Sequence, residues 1–278
     1  MTMATSVQFH PITGTLGAEV TGVDLRTHLR DDEIVRIRAA LVERKVLFFR
    51  DQPVTEQQHI DFALRFGTLH APPVRTSHSG RPEINVLDQT DPRGEGADNW
   101  HNDNTYVAEP PMGSVLHLVR APSVGGDTCF ADMEAAYDAL SGPMQHMLGE
   151  LRAEHDVTKQ LTKAERRGHW NGDLVAASAS MPPVAHPVIR THPESGRRSI
   201  FVNPNSTARI LDIPDAESDA ILAFLFSHVK LPEFQCRFRW DESSVVLLDN
   251  RSCQHYAVPD YRERRILHRV TIKGDRPY

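Results

Sequence analysis

Apolar residues change their period along this chain. Ile34, Ile37 and Leu41 recur at helical spacing behind Asp31 and Asp32, acids that favour a helix N-terminus, and the pattern runs to about Glu43. Residues 46–49 form a short unbroken apolar run, the mark of a buried strand. Thr55 and Gln58 stand at capping-box spacing ahead of a second helix that reaches about Phe66 and stops at Gly67. Two short strands, 7–9 and 18–23, flank Gly14 and Gly17 before these helices.

From Ile84 onward the period turns to that of strands. Residues 84–87, 114–119, 234–240, 244–248 and 266–272 fit this pattern, and 234–240 alternates as a half-buried strand does. Residues 132–152 and 214–229 predict helices inserted between them. The stretch 156–184 is polar and irregular, which suits either a lid over a site or a variable surface loop. Thr191 to Gly196 reads as a turn between two strands. No linker interrupts the chain, so one domain over 1–278, with an insertion near 156–184, is expected. Strands without regularly alternating helices argue for an antiparallel sandwich or barrel rather than a parallel nucleotide-binding sheet.

Composition narrows the function classes. The chain has 278 residues, 40% of them apolar and 24% charged, as in a globular domain with a real core. A net charge of −6 argues against a nucleic-acid partner. No apolar run approaches a membrane span, and the N-terminus lacks a signal-peptide pattern. Cys129, Cys236 and Cys253 form neither a disulfide framework nor a zinc knuckle, so a cytoplasmic location is expected. Fifteen histidines make any single one weak evidence.

Chemistry concentrates at Trp100-His101-Asn102-Asp103. Residues two apart on an extended strand share a face, so His101 and Asp103 could grip one metal ion from one side. A third ligand is offered far downstream by His255, in Asp249-Asn250-Arg251-Ser252-Cys253-Gln254-His255-Tyr256-Ala257. Two histidines and one carboxylate are the ligand set of non-haem Fe(II) oxygenases, and they leave three positions for a bidentate co-substrate and dioxygen. The same set could hold zinc in a hydrolase, or be a chance pattern in a binding protein without catalysis.

Further pieces resolve that choice. Gly125-Gly126-Asp127-Thr128, Ala135-Ala136-Tyr137-Asp138-Ala139-Leu140, His186-Pro187-Val188-Ile189-Arg190-Thr191-His192-Pro193, Trp240 and Arg264-Arg265-Ile266-Leu267-His268-Arg269 follow in order. Together with the two histidine motifs they resemble the taurine dioxygenase/TfdA-like family of Fe(II)- and 2-oxoglutarate-dependent dioxygenases, over nearly the whole chain. The resemblance implies a mainly β fold with flanking helices, a double-stranded β-helix or jelly roll. It implies Fe(II) on His101, Asp103 and His255, with 2-oxoglutarate and O2 as co-substrates. Arg265 and Thr128 would receive the distal carboxylate of 2-oxoglutarate, and Arg269 the anionic group of the prime substrate. Arg265 and Arg269, four apart on one strand, would share a face, while Arg264 and His268 would point the other way. Asp103 favours hydroxylation over halogenation, since related halogenases place a small residue there. Family members often form dimers or tetramers, so a homo-oligomer is expected.

The substrate wall departs from the taurine enzymes. Where they carry a His, a Tyr, an Asn and a Phe, alignment on Arg65-Phe66-Gly67, Trp100 and Phe201-Val202-Asn203 places Pro72, Arg75, Ala97 and Ser206. This predicts a small organic anion other than taurine: a sulfonate, a sulfate ester, or a carboxylate such as an aryloxyalkanoate, with Arg75 as a second positive charge. Hydroxylation beside the heteroatom would give a product that collapses to a carbonyl.

Overall fold

The computed structural model describes residues 6–70, 80–90, 97–168 and 170–278. In chain order the elements are β1 (Gln8–Pro11), β2 (Ala18–Thr21), α1 (Asp31–Arg44), β3 (Val46–Phe49), α2 (Glu56–Leu64), β4 (Leu69–His70), β5 (Ile84–Gln89), β6 (Gly113–Arg120), β7 (Thr128–Asp132), α3 (Met133–Asp138), α4 (Gly142–Gly149) and β8 (Arg152–His155). There follow α5 (Thr158–Arg166), α6 (Leu174–Ser180), β9 (Val184–Pro187), β10 (Ile189–Thr191), β11 (Arg198–Ile200), β12 (Thr207–Ile210), α7 (Asp215–His228), β13 (Gln235–Phe238), β14 (Val245–Asp249), β15 (Cys253–Ala257) and β16 (Arg265–Ile272).

The first two helices form where local chemistry directs them. Asp31, Asp32 and Glu33 load the first turn of α1 with negative charge. The Thr55 hydroxyl accepts from the Gln58 amide at 3.3 Å, and the Gln58 carboxamide accepts from the Thr55 amide at 2.8 Å, closing the capping box of α2. Both helices lie on one face of an eight-stranded sheet ordered β1-β2-β3-β14-β6-β16-β4, with β5 also on β16. β14 is central and wholly buried, which is why 245–248 is an unbroken apolar run.

Alternation along β6 and β16 separates two cores. Val115, Val270 and Ile272 face α1 and α2, packing with Ile37, Leu41, Phe62 and Ala63. Leu116, Leu118 and Leu267 face the second sheet, β13-β7-β15, and meet Phe130, Phe238 and Cys253. Two sheets packed face to face, with helices outside, make the jelly roll. Beyond the second sheet, α3, α4 and α7 cover a third apolar cluster.

The structure departs from the periodicity reading in three places. Residues 132–152 form two helices, because Asp132 caps α3 and Ser141 caps α4, with a Pro in its first turn. The insertion is helical: α5 and α6 turn Leu161, Leu174, Ala177 and Met181 onto Tyr106 and Val157. Its apolar residues are split by the turn at Arg167 and Gly168, so no single window shows their period. The short strands β7, β8, β9, β12 and β15 exist through partners distant in sequence. Among the described residues no helix is long and apolar enough to cross a membrane.

Candidate active site

His101 and His255 are joined by backbone. Each amide donates to the other's carbonyl, at 3.0 and 2.9 Å, in an isolated antiparallel bridge that leaves their ring centroids 4.1 Å apart. Asp103 does not continue that strand. It lies in the turn that follows, ahead of Asn104 at φ 50°, so a shared strand face is not what aligns it with His101. Asn250 aligns it instead: its side chain accepts from the Asp103 amide at 2.6 Å and donates to the Asp103 carbonyl at 3.0 Å. Asn102 braces the same junction by donating to the carbonyls of Asn250 and Cys253.

The outcome is a convergent set. Asp103 Oδ1 lies 3.8 Å from His101 Nε2 and 3.9 Å from His255 Nε2, and all three residues are buried. Their ligand atoms lie within 4.8 Å of one another, and no other group of this kind occurs among the described residues. His101 Nδ1 donates to the Asn99 carbonyl at 2.7 Å, which leaves the Nε2 lone pair directed at the site. Burial, opposed by Asp103, lowers the His101 pKa; burial and the His101 ring hold His255 at about 3. Burial alone would raise Asp103, but Arg269 and the two imidazoles outweigh it and bring it to about 2. Neutral imidazoles beside an ionised carboxylate are the protonation states a divalent metal needs. The donor set fits Fe(II).

Two other side chains touch this set, and two more stand on neighbouring strands. Ser114, fully buried, donates to Asp103 Oδ2 at 3.2 Å. Arg269 Nη1 donates to Asp103 Oδ1 at 2.9 Å, and its buried Nε has no partner. Arg265 shares the inner face of β16 with Arg269, whereas Arg264 pairs with Asp88 at the surface and His268 faces α2, as strand parity requires. Thr128 begins β7 opposite Ala257, two residues beyond His255. Its hydroxyl accepts from Trp240 Nε1 at 2.9 Å. Arg265 is 3% exposed, forms no ion pair with an acid among the described residues and hydrogen-bonds the Tyr261 side chain; burial lowers its pKa, with Tyr261 and Asp127 opposing.

Sequence reasoning left Ser114, Tyr106 and Tyr261 unremarked, and gave Asn250 and Trp240 no role. Tyr106 donates to Asn104 Oδ1 at 3.0 Å; burial pushes its phenol up to about 12, with Arg269 opposing and Asp103 adding. Its position three residues past Asp103 was the available signal. Ser206 is buried and hydrogen-bonded to Gln160 of α5, and Ala97 accepts from the Ala257 amide. Pro72 and Arg75 lie outside the described residues. Cys253 is a small buried residue whose thiol burial pushes up, and Trp100 packs against Tyr256.

The model of the taurine catabolism dioxygenase TauD, TfdA family matches residues 8–271. The chain is 35% identical to an alpha-ketoglutarate-dependent sulfate ester dioxygenase of Pseudomonas putida, covering 99% of this chain and 92% of that protein. It is 34% identical to an alpha-ketoglutarate-dependent 2,4-dichlorophenoxyacetate dioxygenase of Cupriavidus pinatubonensis, covering 97% and 99%. A solved taurine dioxygenase from Burkholderia xenovorans superposes with a TM-score of 0.83 at 34% identity, over 98% of this chain and 91% of that one.

Proposed function

Since the chain belongs to the TauD/TfdA family, and is a 2-oxoglutarate-dependent dioxygenase acting on small organic anions, we propose that its prime substrate is an alkyl sulfate ester and assign its site residues accordingly. His101, Asp103 and His255 hold Fe(II). Thr128 and Arg265 receive the distal carboxylate of 2-oxoglutarate. Arg269 receives the sulfate, and Arg75 adds a second positive charge. The observation that carries the reading is Arg269 itself: it touches the metal-ligand carboxylate and still has a buried, unpartnered Nε to offer an anion.

Bound Fe(II), with 2-oxoglutarate and O2, supplies the oxidising chemistry, which converts 2-oxoglutarate to succinate and CO2 and delivers one oxygen atom to a substrate C–H. The protein's own part is placement. Arg269 anchors the sulfate one residue from the metal ligands, so the adjacent O–CH2 carbon is the one within reach. The apolar cluster of Tyr106, Val157 and Leu161 suits an alkyl group and contains no carboxylate to pair with an ammonium such as taurine's. The insertion of α5 and α6 closes this wall as a lid, tied by the Lys163–Asp98 ion pair at 2.5 Å. The hydroxylated carbon then carries both OH and sulfate, and its collapse gives an aldehyde and inorganic sulfate.

A screen of alkyl sulfates, alkanesulfonates, aryloxyalkanoates and taurine with Fe(II), ascorbate, 2-oxoglutarate and O2 tests this. Sulfate and succinate should appear in equal amounts with an alkyl sulfate. Dominant taurine turnover, or hydrolysis with Zn(II) and no 2-oxoglutarate, would overturn the reading.

A further inference from the structure

A buried arginine usually has an acid against it. Arg265 has two aromatic rings instead. Its guanidinium carbon lies 5.6 Å from the centroid of Trp240 and 5.9 Å from that of Tyr261, and its Nε is buried without a partner. Trp240 reaches the second co-substrate residue as well, through its Nε1–H bond to Thr128, 112 positions away in sequence. The arrangement is built from several sides. Phe238 packs edge-on against Trp240 at 5.2 Å, and Tyr261 donates to Gln89 of β5 at 3.2 Å. Gly126 adopts φ +74°, where a Cβ would come within 3.2 Å of Tyr261 and 3.3 Å of Arg265 Cδ.

Two physical consequences follow. The indole face attracts the cation without occupying its N–H donors, and the Tyr261 side chain takes a hydrogen bond from it, whereas a carboxylate would fill the same fork that a ligand needs. A hydroxyl that accepts from the indole has one proton left to give, and that proton is available to an incoming acceptor. We propose that Trp240, with Tyr261 also against Arg265, is the positioning unit for the distal carboxylate of 2-oxoglutarate: it holds Arg265 without an ion-paired acid and leaves the Thr128 proton to be donated to the same anion. The proposal rests on the assignment of Arg265 and Thr128 made above.

The test is calorimetry without turnover, on the full-length protein loaded with Mn(II) under anaerobic conditions. The probes are 2-oxoglutarate and 2-oxobutyrate, which shares the keto-acid head but lacks the distal carboxylate. Trp240→Phe keeps a ring and loses the donor, so 2-oxoglutarate should bind about 5-fold more weakly. Trp240→Leu loses both and should cost about 50-fold. In each variant 2-oxobutyrate and Mn(II) affinities should stay within about twofold, because a positioning role acts on the distal carboxylate alone. Tyr261→Leu should move the same ratio in the same direction, which keeps the test open if a Trp240 variant fails to fold. Equal weakening of both keto acids, or no change in either, would reduce Trp240 to a packing residue. Failure of the unmodified protein to prefer 2-oxoglutarate over 2-oxobutyrate would overturn the residue assignment as well.

Discussion

On one face of the β6–β16 pair, His117 and His268 stand opposite each other in register, and His59 reaches down from α2. On the other face, Ser114 and Arg269 look toward His101, Asp103 and His255. Both groups are largely buried, and burial drives both toward the neutral imidazole: about 3 for His59 and for His255, about 4 for His117. What separates them is a carboxylate. Asp103 lies between the two site imidazoles, whereas among the described residues the α2 group meets an acid only at its rim, where Glu56 comes within 3.9 Å of His268. Imidazoles packed together without an acid among them are core residues that tolerate burial by staying neutral. Two imidazoles converging on one ionised carboxylate make a dication site. In a chain with fifteen histidines, convergence is the informative property and histidine density is not.

The contrast can be broken by experiment. His255→Ala should weaken Mn(II) binding more than about 100-fold by calorimetry, since it removes one of three ligands. His117→Leu should leave that affinity within about twofold. Comparable losses in both would erase the distinction drawn here. Arg265→Ala should weaken 2-oxoglutarate about 50-fold and Mn(II) hardly at all, because a charge-assisted fork is lost while the metal ligands stay. Equal loss of both would make Arg265 a structural residue.

The α2 histidines should declare themselves through pH. Their folded pKa values lie below the unfolded value of about 6.5, so the unfolded state binds more protons. Their stability is complete above pH 6.5 and is lost as pH falls from there toward 4 and 3. At pH 5 the cost for His117 is about 2 kcal/mol. Thermal melts of His117→Leu should therefore show a shallower decline between pH 6.5 and 4.5 than the unmodified protein, and an unchanged slope would remove His117 from this account. The smallest effect expected is that of Ser114→Ala. Loss of the hydroxyl on Asp103 Oδ2 should weaken Mn(II) about 5-fold, with the melting temperature held within a few degrees.

Much of this was legible before any coordinates. The capping box at Thr55 and Gln58, the acids opening α1 and the unbroken run of β14 are local signals, complete within one window, and each produced the element it implied. The inner and outer parity of Arg265, Arg269, Arg264 and His268 was equally local, because strand geometry alone decides it. The insertion was not legible, since Leu161 and Leu174 bury against Tyr106 from two helices separated by a turn. Trp240 was visible as an aromatic at the end of an alternating strand, but its partners Thr128 and Arg265 were not.

By itself, then, the sequence determined the donor types, the helices with their caps, and which arginines of β16 turn inward. Only the tertiary structure decided that His101 pairs with His255 backbone to backbone, and that Asn250, 147 positions from Asp103, clamps its peptide groups. It also decided that a tryptophan and a tyrosine, not an acid, enclose Arg265. Caps and side-chain parity depend on a few neighbouring dihedrals, whereas strand register between distant segments is settled by how two sheets bury their apolar faces together.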